Sequence, residues 1–452
     1  MHAPAAPQWR QEADHLARSG AILAFNQLLQ IAIPFVTTTM TGRLGVEALA
    51  AGSMVGSIGI LLFITSLGVL QGGIPQLGMA IGAGDHSSAV RAIRTSVAAA
   101  LAMGLVTTAI MACVPWCLAR TGQDAAVVNL ASRFIFALLP GYLPGVLAIA
   151  LRFALIAAND LRWLNPVMIA GIAFNLACNL LLGSEASGID GLTAVGAAIS
   201  LTNWLILGCL VVAVTRSQRI PAGLLHRASG FATRDLLARG VPVGAIFFTE
   251  TLLFTGSSVL MGFVGKVALA AHGVALLWLN VALMIPIGIS QAAMARIAMH
   301  SGQRRPDAVL HATVVAVLSV VAASTVMGAL LVAASDDLIR LAMWSRSAAG
   351  EAVVDTGRGY FRFCAITQLL SGLVIVIASI QRGLGDNSRV LWLIMLGYWG
   401  VGLGGCALLA FAFGLGGAGV WLGIVLAFVF AVVLLTVRLR NALAQLPPAV
   451  ES

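Results

Sequence analysis

The sequence predicts an all-α polytopic membrane protein, with twelve transmembrane helices in two six-helix lobes related by a pseudo-two-fold axis along the membrane normal. Three observations carry that prediction: twelve apolar runs of spanning length, arginines gathered on one side of those runs, and two short motifs that recur in register in the two halves. The composition agrees. Of 452 residues, 60% are hydrophobic and 10% charged, with a mean hydropathy of +0.98. A soluble domain of ordinary composition carries about 25% charged residues.

About twenty apolar residues cross a ~30 Å hydrocarbon layer. Runs of that kind cover 19–41, 51–74, 92–115, 131–156, 164–183 and 193–214, then 241–264, 270–295, 309–333, 360–380, 389–412 and 418–437. Between the two sets lies the most polar interior stretch, TRSQRIPAGLLHRASGFATRDLLAR (215–239). The chain therefore divides into an N-terminal lobe (1–214), a cytoplasmic linker (215–239) and a C-terminal lobe (240–452).

Arginine placement sets the orientation. Arg10 and Arg18, Arg91 and Arg94, Arg162, the linker arginines, Arg304 and Arg305, Arg389, and Arg438 and Arg440 fall on one side. The other side has Arg43, Arg120, Lys266 and a cluster (Arg340, Arg346, Arg358, Arg362) mixed with Asp336, Asp337, Glu351 and Asp355. Both termini are expected in the cytoplasm, with the protein in a bacterial inner membrane. The net charge of +9 thus belongs to topology, and no nucleic-acid partner is expected. The polar N-terminus and the absence of a cleavage site after the first run make that run a retained span rather than a signal peptide. The six cysteines sit in or beside apolar segments without CxxC spacing, so they read as packing residues.

The halves resemble each other. Gly45-x-x-Ala48-Leu49-Ala50-Ala51 returns as Gly265-x-x-Ala268-Leu269-Ala270-Ala271, and Gln76-x-x-Met79-Ala80 returns as Gln291-x-x-Met294-Ala295. Each pair falls at the same helix of its half. A six-plus-six duplication runs both repeats in the same sense and suits two lobes that rock to open alternately to either side.

One residue organises the functional reading. Glu250 lies near the middle of the seventh run, roughly 14 Å from its end at ~1.5 Å per residue. A carboxylate at that depth is costly unless a proton, a cation or a buried partner answers it, so it either marks an ion or substrate pathway or is hydrogen-bonded to a neighbouring helix purely for packing. Asn175 and Asn179 share one helix face at i and i+4. They either line a cavity or hydrogen-bond between helices. Gln27, Asn280 and Gln368, with Asn26 and Gln30, are further cavity candidates. His272 reads as an interface residue, Asp85, Asp160 and Asp386 as turn and cap residues, and Arg152 and Arg382 as arginines snorkelling from helix ends.

Taken together, GRLGVEALAAGSM (42–54), IGAGD (81–85), NLACNLLL with Asn175 and Asn179, TETLLF (249–254), GKVALAAHGVAL (265–276), IPIGISQAAMARI (285–297) and QRGLGD (381–386) resemble the multidrug and toxic compound extrusion (MATE) family, nearest its NorM-like branch. The resemblance implies a V-shaped twelve-helix antiporter exporting cationic or amphipathic organic compounds against protons or sodium, with Glu250 in the cation and substrate site. It also marks departures. Thr37 stands where the family's first helix carries an aspartate, Ser371 where helix ten carries one, and Thr367 where a tyrosine is usual. By family position Thr37 joins the cavity, whereas Thr38 and Thr39 are expected to bond back to helix carbonyls.

A sodium cage wants several hard oxygens including carboxylates. A proton carrier needs one carboxyl able to gain and lose a proton. The sequence thus favours proton over sodium coupling, with uncoupled export as an alternative. A lipid-linked precursor flippase is less favoured, because no arginine or lysine sits mid-helix in the first lobe. No nucleophile–base pair or metal cluster points to an enzyme. The expected partners are a small organic substrate and the bilayer, with no cofactor beyond the coupling ion, and the expected state is a monomer.

Overall fold

The computed structural model describes residues 8–120, 125–183, 188–220, 233–343, 348–386 and 388–445. Twelve helices are long and apolar enough to cross a membrane. They are α1 Trp9–Arg43, α2 Glu47–Gly82, α3 His86–Leu118, α4 Ala125–Ala157, α5 Leu161–Leu182, α6 Gly191–Thr215, α7 Gly240–Val264, α8 Lys266–Gly302, α9 Pro306–Ala333, α10 Gly350–Gly383, α11 Trp392–Ala412 and α12 Gly416–Ala444. Every expected run is present. Most helices extend beyond it, because helical hydrogen bonding continues past the apolar stretch into flanking polar turns. Of the expected linker, 221–232 lies outside the described residues, as does Arg346; from Thr233 the chain is already helical and runs on into α7.

The repeated glycines occupy matching places. Gly45 caps α2 at φ 106° and Gly265 caps α8 at φ 150°, a region L side chains rarely adopt. The carbonyl of each accepts the amide four residues on, Leu49 at 3.0 Å and Leu269 at 2.9 Å.

Contacts divide the chain into two units, Asn26–Gly244 and Met1–Phe25 with Ala245–Ser452. The beginning of α1 thus packs with the C-terminal helices. Glu12 receives a two-pronged pair from Arg296 (Nε 2.9 Å, Nη2 2.7 Å), and His300 Nε2 lies 3.0 Å from the same carboxylate. One turn-pair further along, a Cβ at Gly288 would run into the backbone of Leu23 and Ala24.

In the unit Asn26–Gly244, α4 is the central helix, burying Phe134, Ile135, Leu138 and nearly all of 144–157 against α2, α3 and α6. Pro140 and Pro144 interrupt its ladder. Pro144 has no N–H for the Pro140 carbonyl, and Trp204 Nε1 of α6 supplies the missing donor at 3.0 Å. Ser200 Oγ donates to Ala137 O at 2.6 Å and Asn203 Nδ2 to Gly141 O at 3.0 Å, which draws α6 close against Gly141. The other unit uses the same device. Pro286 in α8 leaves the Ala282 carbonyl without its helical donor, and Gln368 Nε2 of α10 provides one at 3.1 Å. In lipid such rescues decide whether a proline can be carried at all.

In α11, π-helical turns over Leu396–Leu403 and Leu408–Ala412 widen the helix. α12 meets it through Gly419 and Gly423, where any Cβ would strike the backbone of Leu409, Ala410 and Cys406.

The proline rescue predicts a specific non-additivity. Gln368→Leu should cost about 1 kcal/mol and lower the melting temperature in detergent. In a Pro286→Ala background, where residue 286 regains its N–H, the same change should cost much less. Equal costs in both backgrounds would refute the assignment.

Candidate functional site

Glu250 sits in the middle of α7, half-buried, between the buried Thr249 and Thr251, whose hydroxyl donates to Phe247 O at 2.9 Å. Its carboxylate has no hydrogen bond and no ion pair among the described residues. Two groups share its field: the Arg382 guanidinium of α10 and the Tyr398 hydroxyl in the π-helical part of α11. Both are buried, Arg382 at 5% exposure and Tyr398 at 1%. Arg382 also donates to Ala378 O at 3.2 Å and Ser379 Oγ at 2.7 Å. It is therefore not snorkelling as the sequence suggested, because its head is held by its own helix inside the protein. Sequence reasoning missed Tyr398 altogether. Its rarity was the available signal, as the chain has three tyrosines.

On α10, Thr367 and Ser371 are fully buried one turn apart. Ser371 Oγ donates to Thr367 O at 2.6 Å, while Thr367 Oγ1 has no partner among the described residues. Gln368, expected to line a cavity, instead spends its amide on the carbonyl freed by Pro286. Asn280 is exposed, its amide turned back onto Leu276 O at 2.9 Å. His272 is buried against Trp421 (5.2 Å between ring centroids) and lies 3.3 Å from Ser257 Oγ.

The unit Asn26–Gly244 contains a cleft of about 420 Å³ between α1, α2, α4, α5 and α6. Thr37 lines it, as expected from its position, together with Thr38, Thr41 and Gln30. The hydroxyls are divided differently from expectation. Thr37 and Thr41 bond back, Thr37 to Ile33 O at 2.9 Å and Thr41 to Thr37 O at 3.0 Å, whereas Thr38 is exposed and lines the cavity. Gln27 is buried beside the cavity and accepts a hydrogen bond from Gln30 Nε2.

Asn175 and Asn179 do not line this cavity. Asn175 Nδ2 donates to Thr202 Oγ1 of α6 at 3.1 Å, and Asn179 Nδ2 donates to Asn175 O at 2.8 Å and Oδ1 at 3.2 Å. The pair is an interhelical clasp, because the face they share points at α6. Arg152 does line the cavity. It is 7% exposed and so is not snorkelling either.

The acids outside the spans are structural. Asp85 caps α3, accepting from Ser88 N at 3.0 Å and from the hydroxyls of Ser87 and Ser88, which hold its carboxyl well below the usual range. Asp160 stands at the N-cap position of the turn Leu161–Trp163, but its side chain makes no capping bond; it accepts from Ser217 Oγ at 2.7 Å and pairs with Arg162. Asp386 pairs with Arg438 at 2.7 Å. Asp336 is likewise held low by its two hydrogen bonds from Arg358 (2.7 and 2.6 Å).

Twelve helices long and apolar enough to span, a mid-span acid unpaired among the described residues and a cavity walled by helices define a multi-pass membrane protein with the parts of a transporter. Comparison with known proteins narrows the class. The family model MatE matches residues 23–181 and 242–408. A protein named "Probable multidrug resistance protein NorM" from Agrobacterium fabrum is 30% identical, covering 91% of this chain and 90% of its own. Another of that name from Bradyrhizobium diazoefficiens is 31% identical, covering 96% of each. Among solved structures, the eukaryotic MATE transporter AtDTX14 superposes with a TM-score of 0.84 at 20% identity, covering 98% of this chain and all of that one. An outward-facing multidrug resistance MATE family transporter reaches 0.88 at 16% identity over 97% of both chains. The chain belongs to the MatE family.

The placement of these side chains predicts thiol accessibility. In a background with the six native cysteines replaced, Thr38→Cys should react with a membrane-impermeant methanethiosulfonate, whereas Asn175→Cys should stay unlabelled until the protein is denatured. The reverse pattern would show that the clasp and the cavity have been assigned the wrong way round.

Proposed function

We propose that this chain is a secondary active exporter of a bacterial inner membrane, with both termini in the cytoplasm. It acts as a monomer and moves amphipathic organic compounds, cations included, outward by alternating access against an inward flow of protons. Glu250 carries the reading. A half-buried carboxyl in mid-span with no hydrogen bond or ion pair is not committed to packing, so it can exchange between a proton and a positively charged group. The names of the relatives, which speak of multidrug resistance, support the direction and the broad substrate class.

Protons are favoured over sodium by the oxygens on hand. Thr37 and Ser371, at the positions where the family carries acids, are hydroxyls bonded to the Ile33 and Thr367 carbonyls, and a sodium site built on a single carboxylate is short of hard donors. The same neutrality favours one second reading, uncoupled export driven by the substrate's own gradient.

In proteoliposomes with an imposed pH gradient, wild type should drive dye efflux, and Glu250→Gln should abolish the gradient-driven part while keeping its melting temperature. Undiminished transport by Glu250→Gln would move the coupling elsewhere. Sodium stimulation at constant pH would overturn the proton assignment.

A further inference from the structure

Each half of the chain buries one arginine near the C-terminal end of its fourth span, Arg152 in α4 and Arg382 in α10. Their surroundings differ. Arg382 has its own helix, Ser379 and the field of Glu250 to answer its charge. Arg152 has none of these. Its Nε and Nη2 are sealed from solvent without a hydrogen-bond partner among the described residues, and it forms no ion pair there. The aromatic ring recorded near it is that of Phe153, 5.2 Å from Cζ.

An unanswered guanidinium is expensive to keep out of water. The cost falls when an acceptor arrives, most of all one of opposite charge, and the place it would arrive is defined, because Arg152 lines the cavity of the unit Asn26–Gly244. Among the residues lining that cavity, Arg152 is the one that carries a charge; no carboxylate accompanies it. The remaining walls are apolar or aromatic, such as Phe63 and Phe134, with neutral hydrogen-bonding groups at Thr38, Tyr142 and Asn203. An arginine set in the wall of an apolar chamber, with Nε and Nη2 buried and unpartnered among the described residues, suits a flat acidic group carried on an apolar body.

We propose that Arg152 recognises the acidic group of the substrate, so that this cavity takes amphiphiles bearing a carboxylate, sulfonate or phosphate. Zwitterions and organic anions fit this description; an organic cation without an acidic group gains nothing from Arg152 and is repelled by it. The inference rests on the exporter reading and narrows its substrate class.

Rhodamine B and rhodamine B ethyl ester share one aromatic body and differ in the free carboxylate, which makes them a matched pair of probes. With purified full-length protein in phosphatidylcholine nanodiscs, fluorescence anisotropy should show the acid bound about tenfold or more tighter than the ester. Arg152→Gln should bring that ratio close to one, and Arg152→Lys, which keeps a cation but not the fork, should leave it in between. A wild-type ratio near one, failure of wild type to bind the acid, or an unchanged ratio in Arg152→Gln would overturn the proposal. If Arg152→Gln does not fold, the wild-type ratio and the Arg152→Lys ratio decide. Phosphatidylglycerol added to the nanodiscs should leave the ratio in place; its disappearance would mean that lipid phosphate fills the cavity, and would overturn a soluble occupant. Anisotropy needs no ion gradient. A wild type that prefers the acid yet moves neither dye along a proton gradient would therefore sink the exporter reading and leave Arg152 as the acid-binding group.

Discussion

The structure depends on one constraint: inside a bilayer no water is available to any backbone group, so every carbonyl and amide must find its partner within the protein. Continuous helices satisfy most of them. Where proline breaks the ladder, a side chain from a neighbouring helix takes over, Trp204 for the carbonyl released by Pro144 and Gln368 for the one released by Pro286. The rescue fixes more than the hydrogen bond. It sets which faces of α4 and α6, and of α8 and α10, must meet, and the close approach at Gly141 follows from it.

Charge is governed by the same scarcity of water, and the chain treats it in three ways. Glu12 is paired outright with Arg296, with His300 alongside, which ties the start of α1 to the end of α8. Glu250 lies in the field of Arg382 and has no hydrogen bond or ion pair among the described residues. Arg152 borders a cavity with Nε and Nη2 unpartnered among the described residues. The gradation runs from paired, to coupled, to unpartnered, and an uncommitted charge is the kind that can respond to something that comes and goes.

The duplication explains why the comparison between the arginines is informative. The two halves retain the same helix-capping glycines, Gly45 and Gly265, and the same arrangement of six spans. Against that shared frame the polar residues have diverged. One half holds the mid-span glutamate; the other holds hydroxyls and an uncompensated cation.

The sequence by itself determined the number and length of the spans, the duplication and the family, and it singled out Glu250. Each of these is a matter of hydropathy along the chain or of residue order, and an acid in a long apolar run stands out without any knowledge of its neighbours. Which way a polar side chain faces was not legible. In a soluble helix the polar stripe marks the outside, but a membrane helix is apolar toward lipid and toward protein alike, so its pattern does not say which side is which. Asn175, Asn179 and Gln368 therefore read equally well as cavity liners until the fold set them against Thr202 and Ala282. Arg152 and Arg382 read as snorkelling ends until burial showed that neither head reaches the surface. Only tertiary structure could decide these, because the cost of a buried donor or charge depends on what stands opposite it, and what stands opposite comes from a distant part of the chain.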